Sequence, residues 1–158
     1  GLMPKMEAHK KGVLHRAFSV FIFNSTNSLL MQKRSMVKYH SPGLWTNTCC
    51  SHQRDGESTI EAANRRLMEE MGLAVKINEV FSFIYRAYLN NSLIEHEYDH
   101  VLIGYSDVDP KINIDEVEDW KWMDLKFLEE DLNKNSNIYT EWFKIIFKKV
   151  KNYINSSN

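Results

Sequence analysis

The chain has 158 residues, a formal net charge of −1, 43% hydrophobic and 26% charged residues, which is typical of one globular domain with one core. The near-neutral charge excludes a general basic field that would attract nucleic acid, and no apolar run reaches the ~18 residues that span a bilayer. The two cysteines are adjacent, which excludes a disulfide framework and a zinc site made of four thiolates. No secretory signal is visible, so we expect a single domain over residues 1–158 in a cytoplasmic protein with reduced thiols.

The first third of the chain is predicted to form a hairpin followed by a loop. Apolar and β-branched residues predict the strands, and Asn, Ser and Thr residues predict the turn between them. The elements are an irregular lead-in over 1–8, strands over 17–23 and 29–34 joined by a turn over 24–27, a loop over 35–47 and an extended segment over 48–52.

The rest of the chain mixes strands and helices. The predicted elements are a helix over 57–71, strands over 75–88, 94–105 and 117–123, and helices over 125–133 and 139–154. Ser58 or Thr59 can cap the first helix and Gly72 can end it. Asn90-Asn91 is predicted to be a turn, and residues 155–158 are expected to be frayed. This mixture predicts a layered α/β domain.

The helix over 57–71 carries charged residues at fixed spacing. The spacing matches the Nudix box, G-x5-E-x7-R-E-U-x-E-E-x-G-U with U apolar, at Glu57, Arg65, Leu67, Glu69, Glu70, Gly72 and Leu73. Ser51 replaces the first glycine of the box, and Arg66 replaces the glutamate that follows the arginine.

The second replacement has a chemical consequence. Arg66 and Glu70 are four residues apart and share a helix face, where a Nudix hydrolase places two carboxylates that hold Mg2+ against a diphosphate. A guanidinium suits phosphate recognition rather than metal binding. The alternative interpretation is a solvated amphipathic helix with ordinary i,i+4 ion pairs.

A thiol, imidazoles and carboxylates are predicted to converge. Alternate residues of an extended segment share a face, so Cys50 and His52 point to one side and Cys49 to the other. Glu95 and Glu97 likewise share a face, which is costly unless a cation or a proton lies between them. With three imidazoles these carboxylates form a predicted five-ligand site for Zn2+, Mn2+ or Mg2+ with room for one more ligand: His9, His15, His52, Glu95 and Glu97.

Each of these residues also has an ordinary structural interpretation. Glu95 and Glu97 could be a solvated edge face. Lone histidines are usually surface or hydrogen-bonded core residues, and we expect His40 and His100 to be of this kind. Cys49 is expected to be a small buried apolar residue.

Together these segments resemble type 1 isopentenyl diphosphate isomerase, a family within the Nudix superfamily. The similar segments are His15-Arg16-Ala17-Phe18-Ser19, Gly43-Leu44-Trp45-Thr46-Asn47 with Cys50 and His52, Tyr85-Arg86-Ala87, and Glu95-His96-Glu97. The similarity runs from about Lys5 to the last helix, and family members usually carry an extra N-terminal segment before it. The resemblance implies a Nudix-type α/β/α sandwich with a mixed β-sheet.

The resemblance also implies roles for individual residues. Cys50 and Glu97 are the expected catalytic pair, with Tyr85 and Trp142 as aromatic residues around the hydrocarbon. The expected metal ligands are His9, His15, His52, Glu95 and Glu97, and a second Mg2+ is expected to arrive with the diphosphate at the carbonyl of Cys50 and the side chain of Glu70. The expected substrate-binding residues are Lys5, Arg34, Lys38, Ser51 and Arg66.

The implied reaction is the reversible isomerisation of isopentenyl diphosphate to dimethylallyl diphosphate in isoprenoid biosynthesis. The reaction protonates C4 and deprotonates C2. We expect Glu97 to deliver the proton to C4 and the Cys50 thiolate to accept the proton from C2. The expected partner is a small prenyl diphosphate, without nucleic acid or membrane, and the protein is expected to be a monomer or a weak dimer. The alternatives are a Nudix hydrolase of a nucleoside or prenyl diphosphate and a catalytically inactive diphosphate-binding module.

Overall fold

The structure is a computed structural model that describes residues 2–89 and 92–157, so the turn expected at Asn90-Asn91 lies outside the described residues, as do Gly1 and Asn158. The elements in chain order are α1 (Lys5–Lys11), β1 (His15–Phe23), β2 (Ser28–Arg34), β3 (Trp45–Thr46), β4 (Cys49–Ser51), α2 (Thr59–Met71), β5 (Ile77–Tyr88), β6 (Ile94–Tyr105), β7 (Val117–Asp124), α3 (Leu125–Lys134) and α4 (Glu141–Ser156), with a 3₁₀ turn at Ser136–Ile138. None of the helices within the described ranges is long and apolar enough to cross a membrane.

Within the described residues, seven strands form one mixed sheet. The strand order is β3-β2-β1-β6-β5, with β4 paired to β1 and β7 paired to β2. The pairing of β1 with β6 is parallel and runs from His15 opposite Glu97 to Phe23 opposite Tyr105. The other pairings are antiparallel, including the predicted hairpin of β1 and β2. The predicted mixed sheet is therefore confirmed.

Helices cover both faces of this sheet, which gives three layers. On one face, Ala62, Ala63, Leu67 and Met71 of α2 pack with the even-numbered residues Phe18, Val20 and Ile22 of β1. On the other face, Trp142, Phe143, Ile146, Phe147 and Val150 of α4 pack with Phe21 and Phe23. Because β1 is buried on both faces, its sequence is a nearly continuous apolar run. The predicted α/β/α sandwich is confirmed.

The start and the end of α2 follow the sequence-based prediction. The Ser58 hydroxyl accepts a hydrogen bond from the backbone N–H of Glu61 at 3.1 Å and caps the helix. Gly72 ends it in the left-handed region with φ 62°, and its N–H donates to the carbonyl of Met68. A Cβ on Gly72 would lie 2.6 Å from the carbonyl oxygen of Lys111, so the position excludes any side chain.

This close contact predicts that Gly72→Ala lowers the free energy of unfolding by more than the cost of placing alanine at a positive φ. Gly56 is a matched control, because it also has a positive φ, 75°, but nothing lies within 4 Å of its added Cβ. We expect Gly56→Ala to lower the free energy of unfolding by about 1 kcal/mol and Gly72→Ala by about 3 kcal/mol, measured by urea denaturation. Equal losses in the two variants would contradict the packing argument.

Three local predictions differ from the structure. The lead-in contains a helix, α1, which a seven-residue segment could not maintain alone and which packs against β6 with Ala8 and His9 buried. The loop over 35–47 includes the short strand β3, which pairs with β2. Helix α4 continues to Ser156, so Asn155 is helical rather than frayed.

Candidate active site

The candidate site lies on the sheet face that α4 covers. Strand β1 runs between β4 and β6, with Ser19 opposite Cys50 on one side and His15 opposite Glu97 on the other. This register brings the thiol and the carboxylates to one cavity, which is lined by Lys5, Ala17, Phe18, Ser19, Arg34, His40, Cys50, Ser51, His52, Glu95, Glu97 and Trp142. Cys49 points the other way into the core beneath α2, as the alternation of side chains predicts.

Imidazoles surround the two glutamates of β6. Oε2 of Glu97 lies 3.1 Å from Nε2 of His15 and 2.7 Å from Nε2 of His52. Nε2 of His9, on α1, lies 3.7 Å from Oε2 of Glu95. One ligand atom from each of His9, His15, His52 and Glu97 lies within 4.8 Å of the others. The structure therefore brings four of the five predicted metal ligands into one group and places the fifth, Glu95, beside His9.

The hydrogen bonds of these imidazoles fit a divalent cation. Nδ1 of His9 lies 2.8 Å from the carbonyl of Lys5, and Nδ1 of His15 lies 2.8 Å from that of Val13. A carbonyl only accepts, so the Nδ1 of each ring carries a hydrogen and only its Nε2 can ligate a metal. Nε2 of His9 is buried without a hydrogen-bond partner among residues 2–89 and 92–157. A ring nitrogen without a hydrogen-bond partner, 3.7 Å from a buried carboxylate, suits metal ligation.

Tyr85 joins the two carboxylates. Its hydroxyl lies 2.5 Å from Oε1 of both Glu95 and Glu97, although it can donate only one hydrogen. Burial and the charge of Glu97 raise the pKa of Glu95. Burial also acts to raise the pKa of Glu97, but the charge of His52 and hydrogen bonds from His15, His52 and Tyr85 hold that pKa well below its usual range. The pair therefore favours one negative charge, on Glu97, when no cation is bound.

Cys50 is held by two polar side chains. Its Sγ donates to Oδ1 of Asn47 at 2.9 Å and accepts from Nε1 of Trp142 at 3.2 Å. The Asn47 amide is oriented by its Nδ2, which donates to the carbonyls of Val20 and Cys49. Burial and the charge of Asp99 raise the pKa of Cys50 to about 12, so the thiol form is favoured at neutral pH. Asn47 was not assigned a role from sequence, although it lies in one of the family-like segments.

Positive side chains gather beside the thiol. Lys5 and Arg34 line the cavity, and burial followed by the charges of Arg34 and Lys38 lowers the pKa of Lys5. Burial lowers the pKa of Arg34 as well, and its guanidinium lies 5.2 Å from the centre of the Trp142 ring. Mutual repulsion of neighbouring cations is relieved by a bound anion. The cluster is therefore suited to a diphosphate.

The other two predicted diphosphate-binding cations lie in ion pairs with carboxylates. Arg66 contacts Glu70 at 2.6 Å and Glu116 at 3.4 Å, and Lys38 also pairs with Glu116. Glu70 accepts a further hydrogen bond from Gln32 at 3.0 Å. Glu116 was not identified from sequence, because nothing in its local pattern shows that it lies near Lys38.

The interpretation of His40 as an ordinary surface or core histidine was incomplete. The residue is 3% exposed, lines the cavity, and its ring centre lies 5.3 Å from that of His9 and 5.6 Å from that of Trp142. Burial, with the charges of Arg34 and Lys5, lowers its pKa to about 2, so the ring is neutral. His40 lies in the loop between β2 and β3, whose residues show no helical or strand periodicity, so its position could not be predicted from residue spacing. His100 lies on the opposite face of β6, 2.8 Å from Glu79.

Comparisons with known proteins give one family. The NUDIX domain family matches residues 13–143 of the chain. Isopentenyl-diphosphate Delta-isomerase 1 of Aromatoleum aromaticum is 53% identical over 95% of this chain and 85% of its own length. Isopentenyl-diphosphate Delta-isomerase 2 of Photorhabdus laumondii is 54% identical over 92% of this chain and 82% of its own length.

A solved structure agrees at the level of the fold. The MutT protein of Methanosarcina mazei superposes with a TM-score of 0.72 over 92% of this chain and 96% of its own, at 18% identity. At that identity the likeness concerns the fold alone.

Proposed function

Because the chain belongs to the Nudix superfamily and, within it, to the isopentenyl-diphosphate Delta-isomerases, we propose that Cys50 and Glu97 carry out its proton transfers. The enzyme interconverts isopentenyl diphosphate and dimethylallyl diphosphate. The observation that carries the assignment is the register of β1, which sets the thiol of β4 and the carboxylate of β6 at one cavity closed by Trp142.

The reaction requires one proton to be added and another removed. Protonation of C4 leaves a tertiary carbocation, and loss of a proton from C2 gives dimethylallyl diphosphate. Glu97 delivers the proton in this direction once it has been protonated, and Tyr85, at 2.5 Å from its Oε1, stabilises the carboxylate that remains. Cys50 accepts the C2 proton, and the roles exchange in the reverse direction.

Trp142 supports both stages of this reaction. Burial favours the Cys50 thiol, and the surroundings of Glu97 favour its carboxylate, which is the protonation state left after isopentenyl diphosphate has reacted. The reaction in this direction therefore begins only after Cys50 has lost a proton and Glu97 has gained one. The N–H of Trp142 donates to Sγ and stabilises the thiolate. The face of its ring also attracts a cation, as its contact with Arg34 illustrates, and a desolvated cation–π contact is worth about 2 kcal/mol.

Binding of the diphosphate is assigned to the positive cluster. Lys5, Arg34, Lys38 and Arg66, with the backbone around Ser51, hold the phosphates and align the alkene between the two catalytic groups. Because Lys38 and Arg66 are both paired with Glu116, the diphosphate has to compete with that carboxylate.

A divalent cation fits the imidazole and carboxylate cluster. His9, His15, His52, Glu95 and Glu97 would hold it, and it would offset the cost of two buried carboxylates and fix Glu97 in place. A second cation, Mg2+, would be held by Glu70 and the carbonyl of Cys50, and it would neutralise part of the charge of the diphosphate. Glu70 would then exchange its contact with Arg66, at 2.6 Å, for the ion.

The hydrolase alternative is less compatible with α2. Arg66 occupies the box position of a carboxylate and forms an ion pair with Glu70 at 2.6 Å. A guanidinium there cannot ligate the Mg2+ that a Nudix hydrolase uses to activate water.

Proton NMR tests the proposal directly. Isopentenyl diphosphate is incubated with the protein and Mg2+ in D2O, and we expect dimethylallyl diphosphate that carries deuterium in the methyl group formed from C4. Release of inorganic phosphate without isomer would favour the hydrolase, and no change in the substrate would favour the binding module.

A further inference from the structure

A series of buried hydrogen bonds leads from the start of α4 to the thiol of Cys50. Three side chains carry it, Thr140, Thr46 and Asn47, and each is at most 1% exposed. Oγ1 of Thr140 lies 3.0 Å from Oγ1 of Thr46, which lies 3.0 Å from Oδ1 of Asn47. Sγ of Cys50 lies 2.9 Å from the same Oδ1. Among these four residues, the proposed mechanism gives a role to Cys50 alone.

The direction of each hydrogen bond in this series follows from its partners. Nδ2 of Asn47 lies 3.0 and 3.1 Å from two backbone carbonyls, so it must be the nitrogen of the amide, and Oδ1 faces Thr46 and Cys50. Because Oδ1 only accepts, the Thr46 hydroxyl donates to it and accepts from Thr140. The Thr140 hydroxyl in turn accepts from the backbone N–H of Phe143 at 3.3 Å. Every buried polar atom of the series is therefore paired, and the thiol donates at its end.

The sulfur is thereby held from two sides by the start of α4. The backbone N–H of Thr140 donates to the carbonyl of Trp45 at 3.0 Å, which joins the start of the helix to β3. Trp142, in the first turn of α4, donates its Nε1–H to Sγ of Cys50 at 3.2 Å. The other contact of the sulfur, with Asn47, is linked to the same helix end through the two threonine hydroxyls.

We infer that Asn47 is a positioning residue for the thiol of Cys50 and that the Thr46 hydroxyl keeps its carboxamide in place. By accepting the thiol hydrogen, Asn47 fixes the rotation of the Cys50 side chain about χ1 and hence the place of Sγ in the cavity. A displacement of a reacting group by about 1 Å can lower a rate by about 10²-fold. The inference rests on the proposed role of Cys50 as a catalytic residue.

Two substitutions of Thr46 separate hydrogen bonding from packing. Thr46→Val keeps the shape of the side chain and removes the hydroxyl, whereas Thr46→Ser keeps the hydroxyl and removes the methyl group. We expect Thr46→Val to lower kcat for isomerisation by at least about tenfold with KM changed less than about twofold, and Thr46→Ser to keep at least about half of kcat. A role in packing alone predicts the opposite order of the two variants.

Thr48→Val is the matched control for the loss of a buried hydroxyl. Thr48 is fully buried two residues along the chain, and its hydroxyl accepts from the N–H of Ile22 at 3.0 Å and donates to the carbonyl of Leu30 at 2.6 Å. Neither hydrogen bond belongs to the series that reaches the thiol. Thr48→Val should therefore lose stability and keep a kcat near that of the wild type.

Infrared spectroscopy tests the hydrogen bond of the thiol without an activity assay. The S–H stretching band of Cys50 is identified as the band that Cys50→Ala lacks. We expect it at a lower frequency than the band of a cysteine derivative in an apolar solvent, because donation to Oδ1 weakens the S–H bond, and we expect it to move to higher frequency in Asn47→Ala. A wild-type band at the frequency of the free thiol would overturn the inference, whether or not the variants fold.

The kinetic outcomes keep this inference separate from the proposed function. An active Cys50→Ala would overturn the proposed function. An inactive Cys50→Ala beside a folded Thr46→Val with full kcat would overturn the positioning role alone, as would a kcat equally low in Thr46→Ser and Thr46→Val.

Discussion

Cys50→Ala is expected to lower kcat for isomerisation by about 10³-fold or more, since a positioned acid–base group contributes 10²–10⁴-fold. The sulfur contacts Asn47 and Trp142 and is not expected to contact the diphosphate. KM should therefore change little. Rates are measured by NMR, together with deuterium incorporation at C2, which should disappear in the variant.

Cys49→Ala is the matched control for this prediction. Cys49 is fully buried in the core beneath α2, on the opposite face of β4. Its truncation should reduce stability through lost packing and leave kcat near that of the wild type. A Cys50→Ala protein that retains a tenth of the activity, or a Cys49→Ala protein that is folded and inactive, would contradict the assignment of the two thiols.

Glu97→Gln is expected to remove both catalysis and tight metal binding. Its Oε2 contacts His15 and His52 and its Oε1 contacts Tyr85, so the substitution alters a proposed metal ligand and the proposed proton donor together. We expect kcat to fall by about 10⁴-fold and metal affinity to fall by at least about 10-fold. Activity is measured by NMR and metal content by atomic emission after dialysis.

Glu118→Gln serves as the control for the loss of one carboxylate. Glu118 is exposed on β7 and pairs with Lys33 at 3.2 Å, away from the cavity. Exposed ion pairs contribute little, so activity and metal content should stay within about twofold of the wild type. Full metal content with near-normal activity in Glu97→Gln would remove Glu97 from both roles.

Much of the candidate site was predictable because several of its residues lie two or four positions apart in the sequence. The i,i+2 alternation placed Cys50 with His52 and Glu95 with Glu97, and the i,i+4 spacing placed Arg66 beside Glu70. These relations depend only on local backbone geometry, and the structure retains them. The assignment of catalytic roles came from family resemblance and remains a proposal.

Other site residues could not be predicted, because their neighbours are distant in sequence. The orientation of Asn47 depends on a carbonyl of β1, and the pairing of Lys38 depends on Glu116, 78 residues later. His40 lies in a loop without periodicity, so no sequence rule placed its ring against His9.

The sequence by itself determined the strands other than β3, the capped helix α2 and most of the chemically active side chains, because capping, alternation and helical spacing depend on near neighbours. Only the tertiary structure decided that β1 pairs in parallel with β6, which sets His15 opposite Glu97 across 82 residues. It also decided that α1 folds, because a helix of seven residues is stable only when packing buries Ala8 and His9. Long-range pairing lowers the free energy only once the whole sheet has formed, so no local pattern could specify it.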